Sequence, residues 1–408
     1  EISRREFIRY ALVGMAAFAG GTAVNRYGPF LRAPGLAGKY RLGITETLVE
    51  MVDRKPVYHW AFEDLERLRP TPQMPGPLID AIEGEELEFS ITNSLPEVHG
   101  FRIPGVSGEA GRGIEIAPGD TREFSFPAPK GGSYLYFDHL NAPVNRVLGL
   151  HGPMIILPGK GNTPYSRPTP AVRQLFDDLG THERFPGHPW SKELSRIWLF
   201  NSIDPKMNER AENGEKLDPA EFFNRFLPQY FTINGLSGAY SSHDPSIVPR
   251  GRIGEPHIIR IMNAGLAHHS PHLHANHFYV LARVDNRDEY QMVQENVVLI
   301  DSVTVKPLER MDWLHPFIRP PDIPGDPEKP LRELLKDELQ LTMGGVPQSP
   351  LSWPMHCHME MSQTAAGGNY PQGLVSIWEC TGDVDGIDFP NSDPAEAGGP
   401  PEAQQGAK

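Results

Sequence analysis

Two short histidine-rich segments are the places where this sequence could do chemistry. One is Trp353-Pro354-Met355-His356-Cys357-His358, and the other, earlier in the chain, is His269-Ser270-Pro271-His272-Leu273-His274. Alternate side chains of an extended strand point to opposite faces. His356 and His358 therefore share one face, roughly 6–7 Å apart, while Cys357 projects from the other. Two imidazoles on one side and a thiolate on the other connect two metal sites through a few covalent bonds. The earlier segment repeats the partition, with His272 and His274 on one face and His269 at opposite parity. Thiolate with imidazole suits copper, and zinc accepts the same ligands. His268 and His277 lie beside this segment as further candidates. His59, His151, His182, His188, His243, His257 and His315 fall outside the pattern and are read as structural. The sequence has 2 cysteines, too few for a disulfide scaffold. Cys357, between two histidines, reads as a ligand, with a single Cys357–Cys380 bridge as the alternative.

Short strands must position these segments. With 40 Gly and 42 Pro in 408 residues, few long helices can form, and a loop-rich β architecture is favoured. Polar and apolar residues alternate over 86–91 and 121–126, the mark of half-buried strands. Strand character continues at 133–137 and 152–157, and resumes at 195–200 and 230–235. The expected organisation is an N-terminal signal and arm over 1–40, a first sandwich over 41–160, a linker over 161–194, a second sandwich over 195–382 and a disordered tail over 383–408. The readable strands of the first sandwich start near residue 58, and the stretch before them reads as a connecting arm. A polar insertion at 204–221 holds a short helix. A second insertion at 320–350 has helical character over 328–341.

Together the segments resemble the third and fourth copper motifs of the multicopper oxidases, the family of laccases, bilirubin oxidases and copper-efflux oxidases. Met74-Pro75-Gly76-Pro77 and Thr92-Asn93-Ser94-Leu95 resemble stretches that precede that family's first motif. Glu97-Val98-His99-Gly100 stands in the place of His-Trp-His-Gly, and Gly132-Ser133-Tyr134-Leu135-Tyr136-Phe137-Asp138-His139 in that of Gly-Thr-Tyr-Trp-Tyr-His-Ser-His. The resemblance implies an all-β fold of two cupredoxin-type Greek-key sandwich or barrel domains with loop and short-helix insertions. It also implies a copper-ligand set of Glu97, His99, His139, His269, His272, His274, His356, Cys357 and His358. One type 3 copper would keep His139, His274 and His356, a pocket that zinc could also fill. The other would keep His99 and His358, with Phe137 at its third position. The type 2 site would keep His272, with Glu97 in place of a histidine. The type 1 site would keep His269 and Cys357, while Ser362 stands where its second histidine belongs; Met359, Met361 or Gln363 are the nearby substitutes.

By the same resemblance His356, Cys357 and His358 would carry electrons from a reductant to dioxygen. A copper-dependent oxidoreductase acting on a small reductant, a metal ion or a redox protein is the first reading. A metal-binding non-oxidase and a structural cupredoxin subunit are the alternatives. The motif layout is that of two-domain laccases, which close head-to-tail trimers, so a homotrimer is expected. Ser3-Arg4-Arg5-Glu6-Phe7-Ile8 resembles a twin-arginine export motif, and the apolar stretch after it is short for a bilayer span. Periplasmic location follows, with an uncleaved membrane tether as an option. A net charge of -14 argues against nucleic acid as a partner. No P-loop or dinucleotide fingerprint is present.

Overall fold

The computed structural model describes residues 38–66, 72–284, 292–320, 328–334 and 351–389. The architecture is predominantly β: two curled-sheet, cupredoxin-like domains in tandem, with helical insertions. In the first domain a 4-stranded sheet runs Pro56–Asp64, Lys39–Glu50, Glu86–Asn93, Thr121–Pro127 in spatial order. It faces a 3-stranded sheet of Ile79–Ile82, His151–Leu157 and Gly132–Phe137. Between them Leu42, Ile44, Phe89, Ile91, Tyr136 and Met154 form a common core. The alternation of Glu86–Asn93 has a direct cause: Leu87, Phe89 and Ile91 point into that core while Glu86 and Glu88 face solvent. A 2-stranded ribbon, His99–Phe101 with Ile114–Ile116, closes one end.

The second domain packs a 7-stranded sheet against a 4-stranded one. Trp198, Ile259, Met311 and Trp313 from the first meet Met355, Cys357, Trp378 and Cys380 from the second. Both cysteines are free and buried, so no bridge joins Cys357 to Cys380. Leu351–Cys357 pairs antiparallel with Pro271–Leu273, placing Pro271 opposite Cys357, His272 opposite His356 and Leu273 opposite Met355.

The domains meet over an apolar patch of Leu135, Phe137 and Ile155 against Leu199, Met262 and Ala264. A buried polar node pins the seam. Asp312 accepts from Ser133 Oγ at 2.5 Å, from Tyr165 OH at 2.7 Å and from Arg260 Nη1 at 3.1 Å. Breaking one partner of such a node leaves buried charge behind. Arg146 reaches across to the carbonyls of Ala264 and Gly265.

Four sequence expectations need correction. Lys39–Glu50 is an interior strand of the first sheet rather than an arm, parallel to Glu86–Asn93 and antiparallel to Pro56–Asp64. The stretch read as a linker carries the helix Pro170–Asp178, whose Val172, Leu175 and Phe176 pack on Ile258, Leu281 and Leu314 of the second domain. The polar insertion near 204–221 holds two helices, Pro205–Glu212 and Pro219–Arg225, capped by Asp204 and Asp218. The tail does not begin at Asp383: its carboxylate accepts from the main-chain N–H groups of Leu331 and Arg332, and Phe389 is buried. In the second insertion Leu331–Leu334 is helical, while 335–341 lie outside the described residues, as do the export motif and 390–408. Among the described residues no helix is long and apolar enough to cross a membrane.

Candidate metal centre

The Leu351–Cys357 strand carries the partition expected from its parity. Met355 and Cys357 are buried in the second-domain core, and His356 lies on the outer face. There it joins His272 and His274, with ligand atoms all within 4.8 Å of one another. His274 Nε2 and His356 Nε2 are 3.0 Å apart. His358 stacks on His356 with ring centroids at 5.1 Å and meets His272 edge-on at 4.6 Å. The main chain sets this grouping: His358 N donates to Ser270 O and His274 N to Pro354 O. His272 Nδ1 donates to the Asp301 carbonyl at 2.9 Å, which leaves its Nε2 lone pair free for a metal. Burial, followed by the neighbouring imidazoles, holds His356 below the usual histidine range. His272, His274 and His356 together form a compact set of imidazole donors.

On the buried face His269 Nδ1 lies 3.7 Å from Cys357 Sγ. Imidazole nitrogen at about 2.0–2.1 Å and thiolate sulfur at about 2.3 Å from one ion, at tetrahedral to trigonal angles, stand about 3.6–3.8 Å apart. The pair is therefore spaced to share an ion. Sγ is held by main-chain N–H groups of Ser270 at 3.2 Å and Met359 at 3.4 Å. Phe200 and Phe231 grip the His269 ring edge-on. Burial pushes His269 down to about 3, so it presents a lone pair at any ordinary pH. Burial also pushes the Cys357 thiol up, against the hydroxyl of Ser362 and the two amides.

Among the described residues no second imidazole completes this pocket. Ser362 is buried where a second histidine belongs, and its Oγ donates to Met359 O at 2.7 Å. The thioethers of Met359 and Met361 face outward, 48% and 58% exposed. Gln363 Nε2 is engaged with the Cys357 carbonyl. A His–Cys pair with a hydroxyl alongside lacks the trigonal His2Cys set of blue copper.

His99 and His139 stand apart on the first domain. Sequence reasoning grouped His139 with His274 and His356; within the protomer it is His272 that joins those two, because His139 belongs to the other domain's sheet end. His99 Nδ1 donates to Asp138 Oδ2 at 2.8 Å, and that carboxylate also takes Asn145 Nδ2 at 2.8 Å and the Leu140 amide at 2.8 Å. His99 Nε2 is buried with no partner, the orientation of a ligand braced from behind. His139 sits against Gly100 and Gly113, where any Cβ would collide with its ring. Burial holds it below the usual histidine range, against the pull of Asp138. Phe137 does not face His139's surroundings; it is buried in the seam with Leu199 and Met262. Glu97 is exposed, and its carbonyl accepts from Asn93 Nδ2. His268 and His277 are exposed and outside the compact group. Asp138 and Asn145 were missed in the sequence; an acidic residue directly before a candidate ligand was the available signal.

The sequence profile of the multicopper oxidases matches residues 71–161. An L-ascorbate oxidase of Brassica rapa subsp. pekinensis is 34% identical over 99 residues, which is 22% of this chain and 17% of that protein. The chain thus spans less than a fifth of that curated relative. Among solved structures, the blue copper oxidase from Nitrosomonas europaea superposes with a TM-score of 0.57 at 19% identity, covering 84% of this chain and 85% of that one. The multicopper oxidase mgLAC gives 0.56 at 20%, covering 86% and 88%. The copper nitrite reductase from Nitrosomonas europaea gives 0.53 at 14%, covering 84% and 93%. These similarities establish the fold.

Proposed function

We propose that the chain is a periplasmic copper-binding oxidoreductase of the multicopper-oxidase/cupredoxin type with a partial, altered metal-ligand set, a reading supported by the profile match over residues 71–161, the shared fold and the histidine cluster. The observation that carries this reading is the pairing of two donor sets across one strand. Cys357 faces His269 on the buried side, and His356 joins His272 and His274 on the outer side. Copper, when bound, would supply one-electron chemistry between a reductant and dioxygen. His356, Cys357 and His358 provide the covalent path between the two sides. Cys357 is fully buried, away from water, and Phe200 and Phe231 pack on the His269 ring beside it. Asp138 and Asp301 fix the tautomers of His99 and His272. In this reading a small reductant or a redox protein donates the electrons, and zinc is the competing occupant of the imidazole cluster.

The braced but unpartnered His99 supports a head-to-tail assembly. In it, His99 and His139 of one subunit face the second-domain cluster of the next, and a closing rotation gives a trimer. The resemblance of residues 3–8 to a twin-arginine export motif supports a periplasmic location, with a membrane tether if the segment is retained.

A second reading, a metal holder or electron relay without oxygen turnover, is favoured by one observation: Ser362 replaces the second imidazole beside Cys357. Metal analysis with optical and electron paramagnetic spectra, on protein exported in copper-replete cells, separates the two when coupled to an oxygen electrode and sedimentation. Bound copper with donor-dependent oxygen uptake in a trimer supports the first reading. Colourless copper protein without uptake supports the second. Unchanged metal content in His139→Ala, His274→Ala and His356→Ala variants would sink both and leave a structural subunit.

A further inference from the structure

Among the described residues the buried pocket at Cys357 has two metal donors, and the turn beside it is fixed so that it adds no third. His269 Nδ1 and Cys357 Sγ stand 3.7 Å apart. At the bond lengths of imidazole and thiolate, an ion shared by them subtends about 115°, a bent pair with one in-plane position unassigned. Glu360–Gln363, the turn that follows the ligand strand, is held on both sides. Ser362 N donates to Met359 O and Leu374 N to Ser362 O, each at 2.7 Å, and Gly373 N donates to Gln363 O at 3.0 Å. A Cβ on Gly373 would stand 2.2 Å from Ser362 O, so the two segments touch there. Side chains of the turn are engaged locally, Ser362 Oγ donating to Met359 O at 2.7 Å and Gln363 Nε2 to Cys357 O at 2.8 Å. With the main chain so tied, Met359 and Met361 carry their side chains outward.

His269 is also the less supported imidazole. Its Nε2 is buried without an acceptor, whereas Asp138 braces His99 and the Asp301 carbonyl braces His272. A ligating imidazole gains basicity from such a brace, so His269 is the weakest donor of the three. Two main-chain N–H groups, from Ser270 at 3.2 Å and Met359 at 3.4 Å, draw charge from the sulfur. A bent pair of one unbraced imidazole and one hydrogen-bonded thiolate suits copper(I), the ion that soft ligands select. Copper(II) requires a fuller set, such as the trigonal His2Cys arrangement.

We infer that the His269–Cys357 pocket holds copper only as copper(I), and that Ser362 sets this selectivity by filling the third ligand's place with a hydroxyl turned to Met359 O. The inference rests on copper being the bound ion, as in the metal-holder reading above, and adds its oxidation state. The full-length chain carrying His272→Ala, His274→Ala and His356→Ala isolates the pocket. Titrated anaerobically with copper(I), it is expected to keep through gel filtration one equivalent that Cys357→Ser removes. X-ray absorption should show one imidazole nitrogen and one sulfur. Ferricyanide, a one-electron oxidant, should produce neither a protein-bound copper(II) resonance nor a thiolate-to-copper absorption. Ser362→His in the same chain should produce both, reversibly with ascorbate. A stable copper(II) resonance with that absorption from the triple variant overturns the inference, whether or not the Ser362→His chain folds. A folded triple variant that keeps no copper(I), or keeps it after Cys357→Ser, overturns it as well. A folded Ser362→His chain that stays silent overturns the role of Ser362. If the triple variant does not fold, the sulfur absorption edge of oxidised, copper-loaded wild-type protein decides, by a copper(II)–thiolate feature or none. Copper bound at the outer histidines alone would defeat this inference and spare the metal-holder reading, whereas a protein that binds no copper defeats both.

Discussion

Acidification from pH 7.5 to pH 5 should unfold the metal-free protein, well above the range where carboxylates titrate. His59 is pushed down to about 4, and His151, His257 and His269 to about 3, all by burial. In the unfolded chain each returns to a value near 6.5. Folded values below unfolded ones mean that the unfolded chain binds more protons. Their contribution is therefore whole above pH 6.5 and is lost as pH falls toward the folded values. Worked through the linkage relation, each group costs about 1 kcal/mol at pH 6 and about 2 kcal/mol at pH 5. Four such groups sum to about 8 kcal/mol at pH 5, comparable to the whole stability of a typical domain. His315, held well below its usual range beside His257, adds in the same direction. Denaturant melts followed by circular dichroism in chelator, at half-unit pH steps, measure the loss. His257→Gln should flatten the slope near pH 5 by about 1.4 kcal/mol per pH unit, one proton's worth. Stability that stays level between pH 7.5 and pH 5, or a slope indifferent to His257→Gln, would refute the reasoning.

Asp138→Ala removes the acceptor that orients His99, and should weaken copper affinity about 10–100-fold in an equilibrium competition assay while the fold persists. Asp312→Ala strands the Arg260 guanidinium in the seam and should cost about 3–5 kcal/mol in chemical denaturation. Phe176→Ala, in the helix that covers the second-domain sheet, should cost about 3–5 kcal/mol if that segment is part of the domain, and close to nothing if it were a linker.

Parity made much of the candidate site legible before any coordinates. His272 and His356 fall opposite one another on an outer face, and Cys357 falls beneath with His269, because a strand leaves side chains no third direction. What parity could not supply was partnership between domains. Nothing in the local pattern says whether His139 meets His274 in the same protomer or in another. Lys39–Glu50 went unread because its polar residues and Gly43 blur the alternation, although two neighbouring strands bury its Leu42 and Ile44. The helix Pro170–Asp178 was hidden by surrounding Pro and charge. Its signature was nonetheless present: Thr169 caps it, Pro170 opens it, and Val172, Leu175, Phe176 and Leu179 recur on one face. The Asp138 brace leaves one local sign, its place directly before His139, because its partner His99 comes from a distant segment.

The grip on Cys357 and His269 decides when a metal can enter. Sulfur is tethered by two main-chain amides and the imidazole is clamped between two phenyl edges, so these two donors are positioned by the fold itself. Loading then demands little rearrangement of the polypeptide. Such a chain can complete its architecture first and acquire its ion afterwards, in whatever compartment offers one.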